Sequence, residues 1–378
     1  MKIEQLIWKP PTGWSAAPCS EFTEKAQLIL IFGARSALET PEIFEKIAEF
    51  YPNAARVGCS TSGEISGSDF LSGTLVATAI IFESTRIQTA RAPINEPAQS
   101  RSAGKTLIES LEKENLTHVL VFTDGLRVNG TQLLEGLKTG LPSQTRITGG
   151  LAGDGEDFSK TLVCCDGPPQ EGQIAAIGFY GSRLKTGWGS AAGWVPFGPK
   201  RVITRSQGNL LYEMDGLPAI DLYRSILNEE SRELSAARFH FPLEIYLEDN
   251  GPGLVRTIVG INESDGSLAF AGDVPEGCRA RLMKVNSHQI AEGAAGAART
   301  AVIPNNGTPD LALLVSCVGR KIVLKQKTFQ ELEAVRNILG ISTPLAGFYS
   351  YGELAPFGNG QECFLHNETM TITTFTEI

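Results

Sequence analysis

One pattern, strand then helix then glycine loop then strand, occurs three times in 378 residues, and it constrains the fold more than any other feature. Leu28–Gly33, His118–Gly125 and Leu311–Gly319 are unbroken apolar runs too short for helices. Such runs fit strands in the middle of a sheet covered on both faces. A helix is expected after each. The first opens with Thr40 and Pro41 and turns Ile43, Phe44, Ile47 and Phe50 inward. The second carries Leu133, Leu134 and Leu137. In the third, Thr328-Phe329-Gln330-Glu331 reads as a capping box ahead of Leu332, Val335, Ile338 and Leu339.

A glycine loop stands at the matching place in each unit. Gly58 and Gly63 lie five apart and are followed by Glu64; Gly347 and Gly352 lie five apart and are followed by Glu353. The middle copy, Thr148–Asp154, keeps a Gly-acid pair with one residue fewer between its glycines. Glycine makes up 40 of the 378 residues, about 11% where about 7% is usual, and these loops account for part of the excess. Closing strands are expected at Thr74–Phe82, at Leu162–Cys165 with Ile174–Tyr180, and at Met370–Phe375. The vicinal pair Cys164-Cys165 then falls on one strand.

The rest is less regular. Trp188–Pro199 reads as a linker or a loop over a cleft, and Met214–Pro218 as a turn into a helix, Ala219–Leu227. Strands are expected at Pro242–Leu247, Val255–Ile261 and Leu268–Ala271, and a helix at Ser287–Thr300. The fold class is α/β, two lobes built from related β-α-loop-β units with mixed sheets.

A net charge of −9 argues against nucleic acid, whose phosphates are held mainly by Lys and Arg. No apolar stretch approaches the ~20 residues of a membrane span, and the N-terminus lacks a secretory pattern. The seven cysteines show no paired spacing and read as reduced thiols of a cytoplasmic protein. No histidine stands in metal-ligand spacing.

The loops offer the candidate chemistry. An acid after the second glycine would repel phosphate, so a nucleotide loop is not the reading. A carboxylate beside a glycine turn suits an amino-bearing ligand; alternatively the glycines serve tight turns, and Glu64 and Glu353 make structural ion pairs. Arg35, Arg127 and Arg320 follow the three repeat strands, where ligands of open α/β sheets gather. Arginine and glutamate on neighbouring loops can hold the two ends of a zwitterion, or pair with each other between repeats. Cys59 and Cys317 lie near glycines, and His366-Asn367 offers a base and its orienter, which leaves a cysteine nucleophile as an enzyme reading. A small buried hydrophobe is the more frequent role of a free cysteine.

Three motifs carry a resemblance to a known family. Ser316-Cys317-Val318-Gly319-Arg320, Leu345–Pro356 and Leu365–Thr371 resemble the signature of FIST proteins, and Gly58–Glu64, Gly149–Asp154 and Leu217–Tyr223 resemble the N-terminal part and its junction. The resemblance covers about residues 25–375. It implies a 1–24 extension, a FIST N-terminal-like domain over 25–220 and a FIST C-terminal-like domain over 221–378. It also implies a cytoplasmic sensory module for a small ligand, amino acids among them, acting through a histidine kinase, chemoreceptor or cyclic-diguanylate enzyme. With no residues left for an output domain, the partner is expected to be separate. One branch of the family binds haem and senses nitric oxide, and no histidine here can be matched to its ligand. The expected ligand site takes Arg320 for an anionic group, Glu353 for a cationic one, Tyr349 for packing and Asn367 for an amide. Cys317, Gly347 and Gly352 line it, and Gly58, Cys59, Gly63, Glu64 and Arg127 stand at the related positions.

Overall fold

A computed structural model describes residues 1–229, 238–248, 251–304, 306–357, 360 and 362–378, with 226–229 as backbone alone. It contains three six-stranded mixed sheets that repeat one order over five of their strands, plus an inserted sheet of eight strands. In each repeated sheet the expected apolar strand pairs in parallel with the strand that enters the glycine loop: Leu28–Gly33 with Ala55–Ser60, Leu116–Thr123 with Arg146–Leu151, and Leu311–Cys317 with Leu345–Ser350. The closing strands Leu75–Ile81, Gln173–Tyr180 and Met370–Glu377 lie antiparallel on the other side. Beyond them comes the first strand of each unit: Lys2–Lys9, Arg86–Pro93 and Leu184–Ala191. The segment before residue 25 thus supplies a strand of the first sheet.

The strand after each glycine loop leaves its own sheet. Glu64–Ser66 of the first unit pairs with Leu345–Ser350 of the third. Gly352–Pro356 of the third pairs with Arg146–Leu151 of the second, and Val163–Cys165 of the second pairs with Ala55–Ser60 of the first. The exchange closes a ring, so no unit can bury its sheet edge without the next. One phenylalanine from each unit meets at the hub: Phe32 stacks on Phe348 at 4.7 Å, and Phe122 stands edge-on to Phe32 at 5.4 Å. All three are fully buried.

Glycine is required where the parallel strands meet. A Cβ on Gly58, Gly149 or Gly347 would lie 1.8, 1.9 or 1.9 Å from the carbonyl oxygen of Ile31, Val121 or Leu314. The first glycine of each loop therefore buys close approach between strands, leaving the loop beyond it free to cross.

Trp188–Pro199 is neither a linker nor a loop over a cleft. It runs from Leu184–Ala191 into the long strand Val195–Gln207, because Trp188 and its neighbours pair with Met370–Glu377. Val195–Gln207 begins the insertion, which ends with Arg279–Lys284, so the third unit is split around a separate sheet with its own apolar core. That core is closed by the helix Ala219–Glu229. The expected capping box also fails. Thr328 is the N-cap but makes no side-chain cap. Glu331 turns inward because a buried arginine claims its carboxylate, as described next.

Candidate functional site

The crossing loops place acids at the ends of the parallel strands. Glu64 accepts from Thr61 Oγ1 at 2.5 Å and Thr74 Oγ1 at 2.6 Å. Glu353 accepts from Ser350 Oγ at 2.6 Å and Thr369 Oγ1 at 2.8 Å. Two loops thus hold their glutamates with the same pair of hydroxyls. Burial raises the carboxyl of Glu64 to about 7 and that of Glu353 to about 8, against the opposing pull of those hydroxyls. The middle loop differs: Asp154 accepts from Lys160 N at 2.8 Å, Ser159 Oγ at 3.0 Å, Arg35 Nη1 at 3.0 Å and the Tyr351 hydroxyl. Burial alone would raise its carboxyl, but the Tyr351 hydroxyl, the Lys160 and Ser159 amides and the Ser159 hydroxyl outweigh it and hold it below the ordinary value.

The residues singled out in the third unit do come together, in an enclosed cluster. Arg320 is fully buried and its Nη2 lies 2.8 Å from Glu331 Oε2. It also donates to the Ile290 carbonyl at 2.8 Å and to the Ala192 carbonyl. Tyr349 gives its hydroxyl to Glu331 at 2.6 Å. Gly352 pairs with Leu151 across the exchanged strands. Glu368 accepts from Thr257 Oγ1 at 2.9 Å, while its Oε2 and both amide atoms of buried Asn367 have no protein partner. In the first unit Cys59 lies on the strand Ala55–Ser60, buried beside Cys164, and Gly63 lies in the loop that follows. Arg127 stands apart at the surface, paired with Glu171 at 3.0 Å.

Neither central cysteine is set up as a nucleophile. Burial pushes the Cys317 thiol well up, and Glu353 and Glu368 push it further. Burial and Cys164 do the same to Cys59. Two of the four histidines are enclosed and already engaged. His118 is buried with Nε2 2.9 Å from Thr148 Oγ1, and His366 is buried with Nε2 3.0 Å from the Ala355 carbonyl. His288 stands exposed on the first turn of a helix. Among the described residues no group of three or more His, Cys, Asp or Glu is arranged for a metal ion.

An open pocket of about 250 Å³ lies at the strand end of the first unit. Arg35 of the first unit, Asp154 of the second and Lys321 of the third all line it, with Ser62, Glu64 and Asp157. Arg35 pairs with Asp154 between units, and also reaches Asp157 at 3.3 Å. Lys321 Nζ donates to the Ser62 carbonyl at 2.8 Å, and burial lowers its pKa. Sequence reasoning chose Arg320 and missed Lys321. Both lie on the helix Val318–Leu324, where Arg320 and Leu324 are buried. That helical spacing was the available signal, since it leaves Lys321 on another face.

The family model described as FIST N domain matches residues 27–217, and that described as FIST C domain matches 219–356. An uncharacterized protein of Mycobacterium tuberculosis H37Rv is 22% identical over 363 residues, covering 93% of this chain and 91% of its own. One of Methanocaldococcus jannaschii is 24% identical over 315 residues, 77% of this chain and 60% of its own. Among solved structures, a cyanuric acid hydrolase from A. caulinodans superposes with TM-score 0.35 and 8% identity, covering 100% of this chain and 98% of that one.

Proposed function

The chain belongs to the FIST family, whose domains are generally sensory, and from that premise we propose that it binds a small zwitterionic metabolite of the amino-acid class in the pocket of the first unit. One observation carries the reading: each of the three units contributes a charged side chain to one pocket, Arg35, Asp154 and Lys321. The ligand carboxylate is taken by the Lys321 ammonium and the planar fork of Arg35. Its ammonium is taken by Asp157 and Glu64, which line the same pocket. The pocket is preferred over the cluster of Cys317, Arg320, Tyr349, Glu353 and Asn367 because that cluster is enclosed and Arg320 is fully buried against Glu331, whereas Arg35, though paired, is partly exposed.

Because the pocket is shared, a bound zwitterion would tighten all three units at once, and that change is what a separate signalling partner would read. A histidine kinase, chemoreceptor or cyclic-diguanylate enzyme is the proposed partner class. Among the described residues no helix is long and apolar enough to cross a membrane. The test is a thermal-shift screen of amino acids beside the matching simple acids and amines, followed by calorimetry. A ligand that binds only the native state raises its stability. An amino acid should bind, its one-charge analogues should bind about tenfold more weakly or worse, and Lys321→Met and Arg35→Ala should abolish the shift. If no amino acid shifts the transition, or both variants bind as the native protein does, the proposal is wrong.

A further inference from the structure

A second cavity, of about 440 Å³, opens between the inserted domain and the ring of units. Its volume lies in the range of small-molecule sites, about 300–1,000 Å³. Its chemistry is unlike that of the polar pocket. Apolar side chains such as Leu151, Ile258 and Phe270 form much of its wall. Among the described residues that line it there is no carboxylate, and Arg238 is the one charged side chain.

The aromatic groups are held in place before any ligand arrives. Phe158 stacks on Tyr351 with ring centroids 4.6 Å apart and planes 16° from parallel. Tyr351 cannot swing away, because its hydroxyl is given to Asp154. Phe158 sits at φ +49°, a left-handed conformation that bulky residues avoid. It is kept there by the stack and by its amide, which donates to the Tyr351 oxygen at 3.3 Å. Strain of this kind gathers at binding sites, where the surroundings fix it. The Arg238 guanidinium lies 4.8 Å from the Phe239 ring centre and 5.7 Å from that of Phe158, above the aromatic floor.

We infer that this cavity is a second binding site, for a planar aromatic molecule with one negative charge, an aromatic carboxylate. Its ring packs against Phe158 and Phe239, and its carboxylate pairs with Arg238. A zwitterion is disfavoured, since its ammonium would lose water and find no carboxylate among the described lining residues. An uncharged ring keeps the packing but leaves Arg238 unused.

Isothermal titration with 2-naphthoate and with 2-naphthylmethanol, which has the same rings and no charge, tests the site on the full chain. Naphthoate should bind saturably and the alcohol about tenfold more weakly or worse, the usual value of a hydrogen bond to a charged group. Arg238→Gln should bring naphthoate down to the level of the alcohol. Val259→Trp, placed on the half-exposed rim, should block both. Arg238→Gln keeps the test decisive if the tryptophan variant does not fold. The inference is overturned if the native protein gives no saturable heat with naphthoate, if the two probes bind equally, or if Arg238→Gln leaves naphthoate affinity unchanged.

Discussion

Arg35 and Asp154 come from different units and close a 3.0 Å ion pair across the boundary between them, with the Asp154 side chain fully enclosed. Tyr351, from the third unit, completes the joint by giving its hydroxyl to the same carboxylate. One aspartate therefore ties all three units together: it lines the polar pocket, and the tyrosine bonded to it lines the aromatic cavity.

Asp154→Ala should cost about 2–4 kcal/mol, since it strands the Tyr351 hydroxyl and two amides in a buried joint. Arg35→Ala should cost about 1 kcal/mol or less, because Arg35 is partly exposed and Asp154 keeps its other donors. Chemical denaturation of the two variants checks the order. The Asp154 carboxyl is held below its ordinary value of 3.8 in the folded state. Its contribution is present above that pH and is lost as pH falls below it, so Asp154→Ala should lose its disadvantage in acid.

Glu368 predicts the opposite trend at higher pH. Burial raises its carboxyl from 4.5 to about 8, against the pull of Thr257 and Arg320. The folded state then holds a proton that the unfolded chain releases near 4.5. Its contribution is fully present below pH 4.5 and is lost as pH rises through about 8. Glu368→Gln keeps an acceptor for Thr257 and places its amide where Oε2 has no protein partner. The variant should be more stable than the native protein at pH 8.5 by about 1 kcal/mol or more and equal to it near pH 4.5. Melting curves across that range decide it. A constant difference at all pH values would show that Glu368 does not titrate.

Gly58→Ala should be among the most damaging single changes, costing more than about 4 kcal/mol. The new methyl would meet the Ile31 carbonyl at 1.8 Å, and neither strand of a central parallel pair can withdraw. Gly155→Ala is the control. Gly155 has φ +82° and open space around it, so only the backbone penalty of about 1 kcal/mol applies.

These glycines were legible because they answer a local demand: each sits one strand away from an apolar run of its own unit. The first strands of the units were not. Lys2–Lys9 and Arg86–Pro93 mix exposed and half-buried positions, so their polarity does not alternate cleanly. The exchange of strands was also hidden. Nothing in Glu64–Ser66 distinguishes pairing with its own sheet from pairing with Leu345–Ser350, more than 270 residues away. At the site, the equivalence of Glu64 and Glu353 could be read from spacing. That Arg320 faces Glu331 could not, because the capping-box reading had already assigned that glutamate to a helix end.

Arg320→Met should destabilise by about 3–5 kcal/mol, because it leaves the Glu331 carboxylate buried without its cation. Glu331→Leu added to it should recover a large part, since replacing both members of a buried pair removes the uncompensated charge. Urea unfolding of the single and double variants measures this. If Arg320→Met is neutral, the guanidinium is free for a ligand and the enclosed cluster becomes the better site.

Thiol labelling separates a binding protein from a cysteine enzyme. Cys19 is the one exposed thiol among the described residues, whereas Cys59, Cys164, Cys165, Cys317 and Cys363 are buried. The Cys59 and Cys317 thiols stand well above their ordinary value through burial, and the thiolate is the form that alkylates. Iodoacetamide near neutral pH should therefore modify Cys19 first and reach Cys317 only as fast as the protein opens. Mass spectrometry of a labelling time course, with and without denaturant, reads both rates. Fast modification of Cys317 in the folded protein would require a thiolate beside Glu353 and Glu368. Such an anion could persist there only if a cation not provided by Arg320, already paired with Glu331, stood against it.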